Sequence, residues 1–257
     1  MSSIRVGVAG AIGRLTLARP EEGNALDAAS AHAIVDALME FEADDEVRVV
    51  LINADGPDFC TGVDLEAVAT ASGKGASPDD HERDATDIGR IYLTIRGMRK
   101  PVVAAVQGRA LGDGCGFATA CDVVLARDDA RFGYPEVRIG FVPAMVMAML
   151  RRSVGEKQAF DLVLSGRVIP AVEAERIGLA TRVIPANAFA DAIERYVLGL
   201  AAHPAETMGM TKRLFYRLDL LSFREGISEG IRTNVESRQH VDLPGAPPHI
   251  EKMEKSP

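Results

Sequence analysis

The chain has 257 residues, 47% of them hydrophobic and 26% charged, with a formal net charge of -8. This is globular composition, enough for a substantial core in one domain with an appendage or in two small domains. The acidic balance excludes a dedicated nucleic-acid binder, which needs a basic excess to neutralise phosphates, yet leaves room for a phosphate-bearing small molecule met by two or three local basic groups. No apolar run has the length of a membrane span, and MSSIRVGVAG lacks the charged-then-apolar pattern of a signal, so a cytoplasmic protein with no membrane partner is expected.

In chain order, residues 4–8 and 12–18 alternate apolar and polar around Gly10-Ala11 and predict a β-hairpin. Arg19-Pro20 ends the second strand. After a loop over 20–25, Leu26, Ile34, Leu38 and Phe41 fall near helical spacing, with Asp27 placed to cap the helix. The run VRVVLIN at 47–53 reads as a buried, parallel strand, so strand, helix and strand form a βαβ crossover.

Gly56-Pro57 then turns the chain, and Thr61-Gly62-Val63-Asp64-Leu65 has the form of a strand that ends in a glycine turn before a helix. Residues 70–80 thin to small, polar and turn-forming types and predict a mobile surface loop. A helix is expected over 81–98, closed by Gly97 and Lys100-Pro101, and 102–106 is a further buried strand.

That strand leads into QGRALGDGCGFATACD, which places Gly112, Gly114 and Gly116 within five residues and then becomes an apolar helical segment. Such a turn brings backbone N–H groups close to a ligand, and the helix N-terminus adds about half a positive charge, so an anionic oxygen would be stabilised there. A turn that only redirects the chain fits the same residues.

Short strands follow at 123–126 and 131–133, broken by Tyr134-Pro135-Glu136. The Met-rich stretch 140–150 reads as a plastic core helix or as a wall for a flexible apolar substrate. Two amphipathic helices at 155–165 and 171–177 and a strand at 181–184 complete the mixed part. Beyond residue 185 the pattern is helical to about 239 with Pro204 as a boundary, and the Pro-rich tail is expected to be partly disordered. The domains are therefore 1–185, an α/β core, and 186–257, a C-terminal helical region.

Cys60, Cys115 and Cys121 lie in apolar or glycine-rich surroundings without metal-ligand spacing, and the five histidines are scattered. Buried thiols are expected, with neither a metal site nor a nucleophile triad.

Four separated stretches together resemble the enoyl-CoA hydratase/isomerase family, the crotonase superfamily. They are Arg19-Pro20 with Asn24-Ala25-Leu26; Phe59-Cys60-Thr61-Gly62-Val63-Asp64-Leu65; the glycine-rich stretch ending Cys121-Asp122; and Phe132-Gly133-Tyr134-Pro135-Glu136 with Gly140 and Pro143. They span about half the chain in the family's order, and ERIGLATRVIP is also similar.

The resemblance implies a spiral of ββα units followed by a helical trimerisation region, hence a homotrimer or a dimer of trimers. Apolar Leu214, Leu218, Leu221 and Ile227 in the helical region, with little core left to cover them, agree with such an assembly. It also implies an acyl-CoA thioester substrate, with coenzyme A part of that substrate and no other cofactor, and two backbone N–H groups that hold the thioester oxygen. Carried over by position, these donors are Val63, after Gly62, and Asp113, after Gly112. Most of the family has glycine at the latter position. Asp113 is then a helix-capping residue, an extra acid or base, or damage to the oxyanion hole.

Family members that add water to a double bond use two carboxylates. One matches Glu136; the other position holds Gly116. A single base suffices to move a double bond, and Glu136 alone could do that. The CoA moiety is expected between Glu22, Gly23 and Ala25 and the backbone of Val63, Asp64 and Leu65, with Gly112 beside the thioester. The basic residue that family members often present in the first loop is not matched by Arg19-Pro20-Glu21-Glu22-Gly23; Arg83, Arg90, Lys252 or Lys255, from this subunit or a neighbouring one, could meet the phosphates instead. The resemblance thus implies a hydratase or isomerase working through an enolate; the alternative is a catalytically silent acyl-CoA binder.

Overall fold

The computed structural model describes residues 3–63 and 77–239. Strands β1 (Ile4–Ala9) and β2 (Ile12–Leu17) form the expected hairpin, with Gly10 in the left-handed region at the turn. Helix α1 (Ala28–Ala43) starts at a reciprocal cap: Ser30 N donates to Asp27 Oδ1 at 2.7 Å, and Asp27 N donates to Ser30 Oγ at 2.9 Å. Its Ile34, Leu38 and Phe41 are buried.

Strand β3 (Val49–Ala54) runs parallel to β2, and β4 (Val102–Val106), reached through α2 (Pro78–Gly97), runs parallel to β3. The chain continues through β5 (Arg109–Leu111), α3 (Asp113–Ala120), β6 (Val123–Arg127), β7 (Arg131–Gly133), α4 (Val146–Ser153) and α5 (Glu156–Ser165). It then forms β8 (Val168–Pro170), α6 (Ala171–Ile177), β9 (Arg182–Ile184) and α7 (Phe189–Ala201).

The large sheet has the order β1-β2-β3-β4-β6-β9, antiparallel only at the hairpin, and the small sheet the order β5-β7-β8. Isolated bridges Cys60 to Ala110 and Leu26 to Val63 extend the small layer toward the N-terminal half. Successive turns of chain thus give a strand to the large sheet, a short strand or bridge to the other layer, and then a helix: the crotonase-type ββα spiral.

Both faces of the large sheet are covered, which explains its continuous apolar strands. Val50, Ile52, Val102, Ala104 and Val106 join the main core with α1, α2 and α3. Val49, Leu51, Val103 and Ala105 face the other way, toward Ile193 and Val197 of α7. Helix α7 therefore belongs with the sheet: the first compact unit runs from Met1 to Gly209, beyond the boundary expected at residue 185. The second unit begins at Met210, within α8 (Ala205–Arg217), and includes α9 (Phe223–Gln239). Leu218, Phe223, Ile227, Ile231 and Val235 are exposed and line one apolar groove in it.

Two local readings differ from the structure. The helix expected over 140–150 begins only at Val146, because Gly140 sits in the left-handed region and closes a 3-10 turn, Pro135–Ile139. Within α4, Val146, Met149 and Leu150 are buried, which fits a core helix. The three-residue strands β5 and β8 were not foreseen. The loop expected over 70–80 and the tail fall largely outside the described residues.

Candidate active site

Asn24 fixes the loop at 20–26. It is buried at a φ of 53°, accepts from Arg19 N at 2.9 Å and donates to the carbonyls of Asp55 and Asp58 at 3.0 and 2.9 Å. The loop is tied to the next stretch, since Thr61 N donates to Gly23 O at 3.0 Å and Leu26 N to Gly62 O at 2.8 Å. Glu22 is exposed, Ala25 is buried, and Arg19 is engaged by Glu22 at 3.0 Å and Asp27 at 2.7 Å, which neutralises the loop's cation. Arg83 and Arg90 are exposed on α2; Asp64, Leu65, Lys252 and Lys255 lie outside the described residues.

The Gly62 turn lies against the start of α3. Gly62 has a φ of 100°, and a Cβ there would stand 2.9 Å from Leu111 O and 3.6 Å from Asp113 N. Gly112 is the N-cap of α3 with φ 53° and ψ -128°, which an L side chain rarely adopts. Gly114 permits close approach, because a Cβ there would stand 2.3 Å from Cys60 O. The backbone N–H groups of Val63 and Asp113 find no acceptor among the described residues.

Glu136 enters from the 3-10 turn, after Pro135 at its start and the fully buried Tyr134, whose hydroxyl lies 3.1 Å from Thr119 Oγ1. A Cβ on Gly112 would lie 3.3 Å from Glu136 Oε1, so this carboxyl faces the second glycine turn. Its other oxygen, Oε2, is buried without a hydrogen-bond partner. Burial, and to a lesser degree the charge of Asp113, pushes the Glu136 carboxyl above its ordinary value.

Asp113 brings a second carboxyl to the site. Burial pushes it up, opposed by a hydrogen bond from Tyr92 of α2, whose hydroxyl stands 2.9 Å from Asp113 Oδ1 and 3.0 Å from Asp113 O. The space at position 116 is taken: a Cβ on Gly116 would lie 2.5 Å from Val146 Cγ1 and 2.8 Å from the Tyr92 hydroxyl. Tyr92 escaped the sequence reading. Its signal was a tyrosine on the buried face of a helix with Ile88, Ile91 and Ile95, where the hydroxyl must find a partner.

All three cysteines are free and buried, and burial pushes the Cys60 and Cys115 thiols up to about 12 and about 11, far from a nucleophile's range. Among the described residues no group of His, Cys, Asp and Glu could hold a metal ion, and no helix is long and apolar enough to cross a membrane.

The enoyl-CoA hydratase/isomerase family model matches residues 7–223. The 2,3-dehydroadipyl-CoA hydratase of Escherichia coli is 31% identical over 84% of this chain and 82% of its own. Among solved structures, an enoyl-CoA hydratase of Mycobacterium smegmatis superposes with a TM-score of 0.87 at 30% identity, covering 91% of this chain and 90% of that one. One from Polaromonas gives 0.87 at 27% identity, with 92% of each chain covered. The chain belongs to the enoyl-CoA hydratase/isomerase family, a family of enzymes, and has its crotonase fold.

Proposed function

We propose that this protein acts on an enoyl-CoA thioester through an oxyanion-stabilised enolate, with Glu136 as acid/base. One observation carries the reading: two backbone N–H groups without acceptors, at Val63 and Asp113, flank adjoining glycine turns beside a carboxyl whose Oε2 is buried and unpartnered. A thioester oxygen placed between the donors gains charge as the α-carbon becomes nucleophilic, and preorganised N–H groups at a helix N-terminus stabilise that charge at the moment it forms. A half-buried carboxyl with a raised pKa holds a proton nearer to neutrality than an exposed one, as a group that takes and returns a proton must.

The CoA moiety lies along Glu22, Gly23 and Ala25 and the backbone of Val63, Asp64 and Leu65, with Gly112 at the thioester. No cofactor beyond the substrate's own coenzyme A enters the scheme. The apolar stripe of the second unit makes the protein a homotrimer or a dimer of trimers, working in the cytoplasm. Turnover and acyl-CoA Kd of Glu136→Gln, measured on 2-enoyl and 3-enoyl thioesters, test the assignment. Turnover should fall by about 10²–10⁴ at nearly constant Kd, whereas wild-type turnover would remove Glu136 from the role.

A further inference from the structure

Hydration needs water to lose a proton at one carbon while the neighbouring carbon gains one, which two carboxyl groups can share, and position 116, which the family resemblance gives to one of them, is glycine. Its space is filled by Val146 and by the Tyr92 hydroxyl. That same hydroxyl lies 2.9 Å from Oδ1 of Asp113, three residues earlier on α3 and so on the same helix face. The other oxygen of Asp113, Oδ2, has no hydrogen bond among the described residues and is not among their buried unpartnered atoms.

From this arrangement we infer that Asp113 is the second acid/base of the reaction, moved one turn toward the N-terminus of α3, and that Tyr92 is its positioning residue. The inference rests on the proposed enoyl-CoA chemistry.

Tyr92 is suited to a carboxyl that changes its proton count. With Asp113 ionised, the phenol donates to Oδ1. With Asp113 protonated, the acid can donate to the phenol oxygen while the phenol turns its proton to Asp113 O, 3.0 Å away. Neither state leaves the phenol proton without an acceptor.

The titratable groups that face Asp113 from the described elements are Tyr92 of α2, Cys60 of the segment before Gly62 and Glu136 of the 3-10 turn; α4 contributes the apolar Val146. Cys60 and Tyr92 stay neutral, since burial raises both. Burial raises both carboxyls and the charge of Asp113 raises Glu136 further; the proposed hydration starts from the state with the proton on Glu136 and Asp113 ionised.

In the forward step Asp113 takes a proton from water as the water oxygen bonds to the β-carbon. The π pair of the double bond becomes a new π bond between the α-carbon and the thioester carbon, and the carbonyl π pair passes to the thioester oxygen between the two N–H groups. Glu136 then gives its proton to the α-carbon as the enolate collapses. One water has been added, and the proton on Asp113 returns to Glu136 directly or through solvent. The negative charge of Asp113 disappears as that of the enolate appears, so the carboxylate does not oppose the intermediate it creates.

The experiment compares hydration of a 2-enoyl-CoA with double-bond migration in a 3-enoyl-CoA for wild type and Asp113→Asn, which keeps the backbone donor. Hydration should fall at least tenfold further than migration. A smaller difference overturns the inference while leaving the parent reading intact, as does a wild type that isomerises without hydrating; a wild type inert on both substrates overturns the two together. Tyr92→Phe, confirmed folded by circular dichroism, gives the positioning readout. Loss of a donor that favours the carboxylate should move the acidic limb of kcat/KM for hydration to higher pH, and a limb that stays or moves lower overturns the role of Tyr92.

Discussion

The two glycine turns of the site differ in what stands behind them. At Gly62 an added methyl would meet fixed backbone, Leu111 O at 2.9 Å, and the following residue is Val63, an apolar side chain packed against the core. At Gly112 it would meet the end of a side chain, Glu136 Oε1 at 3.3 Å, and the following residue is Asp113, itself a carboxyl held by Tyr92. The first turn therefore offers only a backbone donor, whereas the second joins a backbone donor to proton-carrying groups. Both turns put a glycine at positive φ just before an N–H without an acceptor among the described residues; the side chains that follow differ.

Among changes that leave both carboxyls in place, the largest effect should come from disturbing the donor-only turn at its backbone. Gly62→Ala places a side chain at a φ of 100° and against Leu111 O, so the Val63 N–H must move. Losing one oxyanion donor costs about 10²–10³ in rate, and kcat on an enoyl-CoA should fall by that amount while the far-ultraviolet circular dichroism stays native.

A second prediction concerns stability at the acid-bearing turn. The folded-state pKa of Glu136 is raised, so its contribution is fully present below the unfolded pKa and is lost as pH rises through the folded one. Glu136→Gln cannot ionise. Its Tm relative to wild type should therefore rise between acidic and neutral pH, read by thermal melts across that range; a variant-minus-wild-type Tm that falls as pH rises would contradict the assigned shift. The smallest effect is expected from Val63→Ala. The donor survives, and kcat should stay within about threefold of wild type, well short of the loss typical of a missing oxyanion donor.

Much of this site was legible before folding because its determinants are local. Gly62 and Gly112 mark left-handed turns, Pro135 opens the 3-10 turn that presents Glu136, and Asp27 caps α1 through side chains three residues apart. The strands β3 and β4 were legible from unbroken apolar runs. What escaped depends on distant partners. Nothing near Tyr92 in sequence says that its hydroxyl will meet Asp113 and fill the space beside Gly116, 24 residues on. Strands β5 and β8 have only three residues each, too few for a period to show. The compact unit extends past residue 185 because α7 covers a sheet face whose need for cover is written in β3 and β4 rather than in α7 itself.

The central claim, that paired backbone donors and Glu136 work on an enoyl-CoA, is tested most directly by incubating the purified full chain with 2-enoyl- and 3-enoyl-CoA thioesters and identifying the products. The account predicts a 3-hydroxyacyl-CoA from the first, with double-bond migration from the second. Saturable acyl-CoA binding with no turnover of either would contradict it and leave a catalytically silent binder of the crotonase fold.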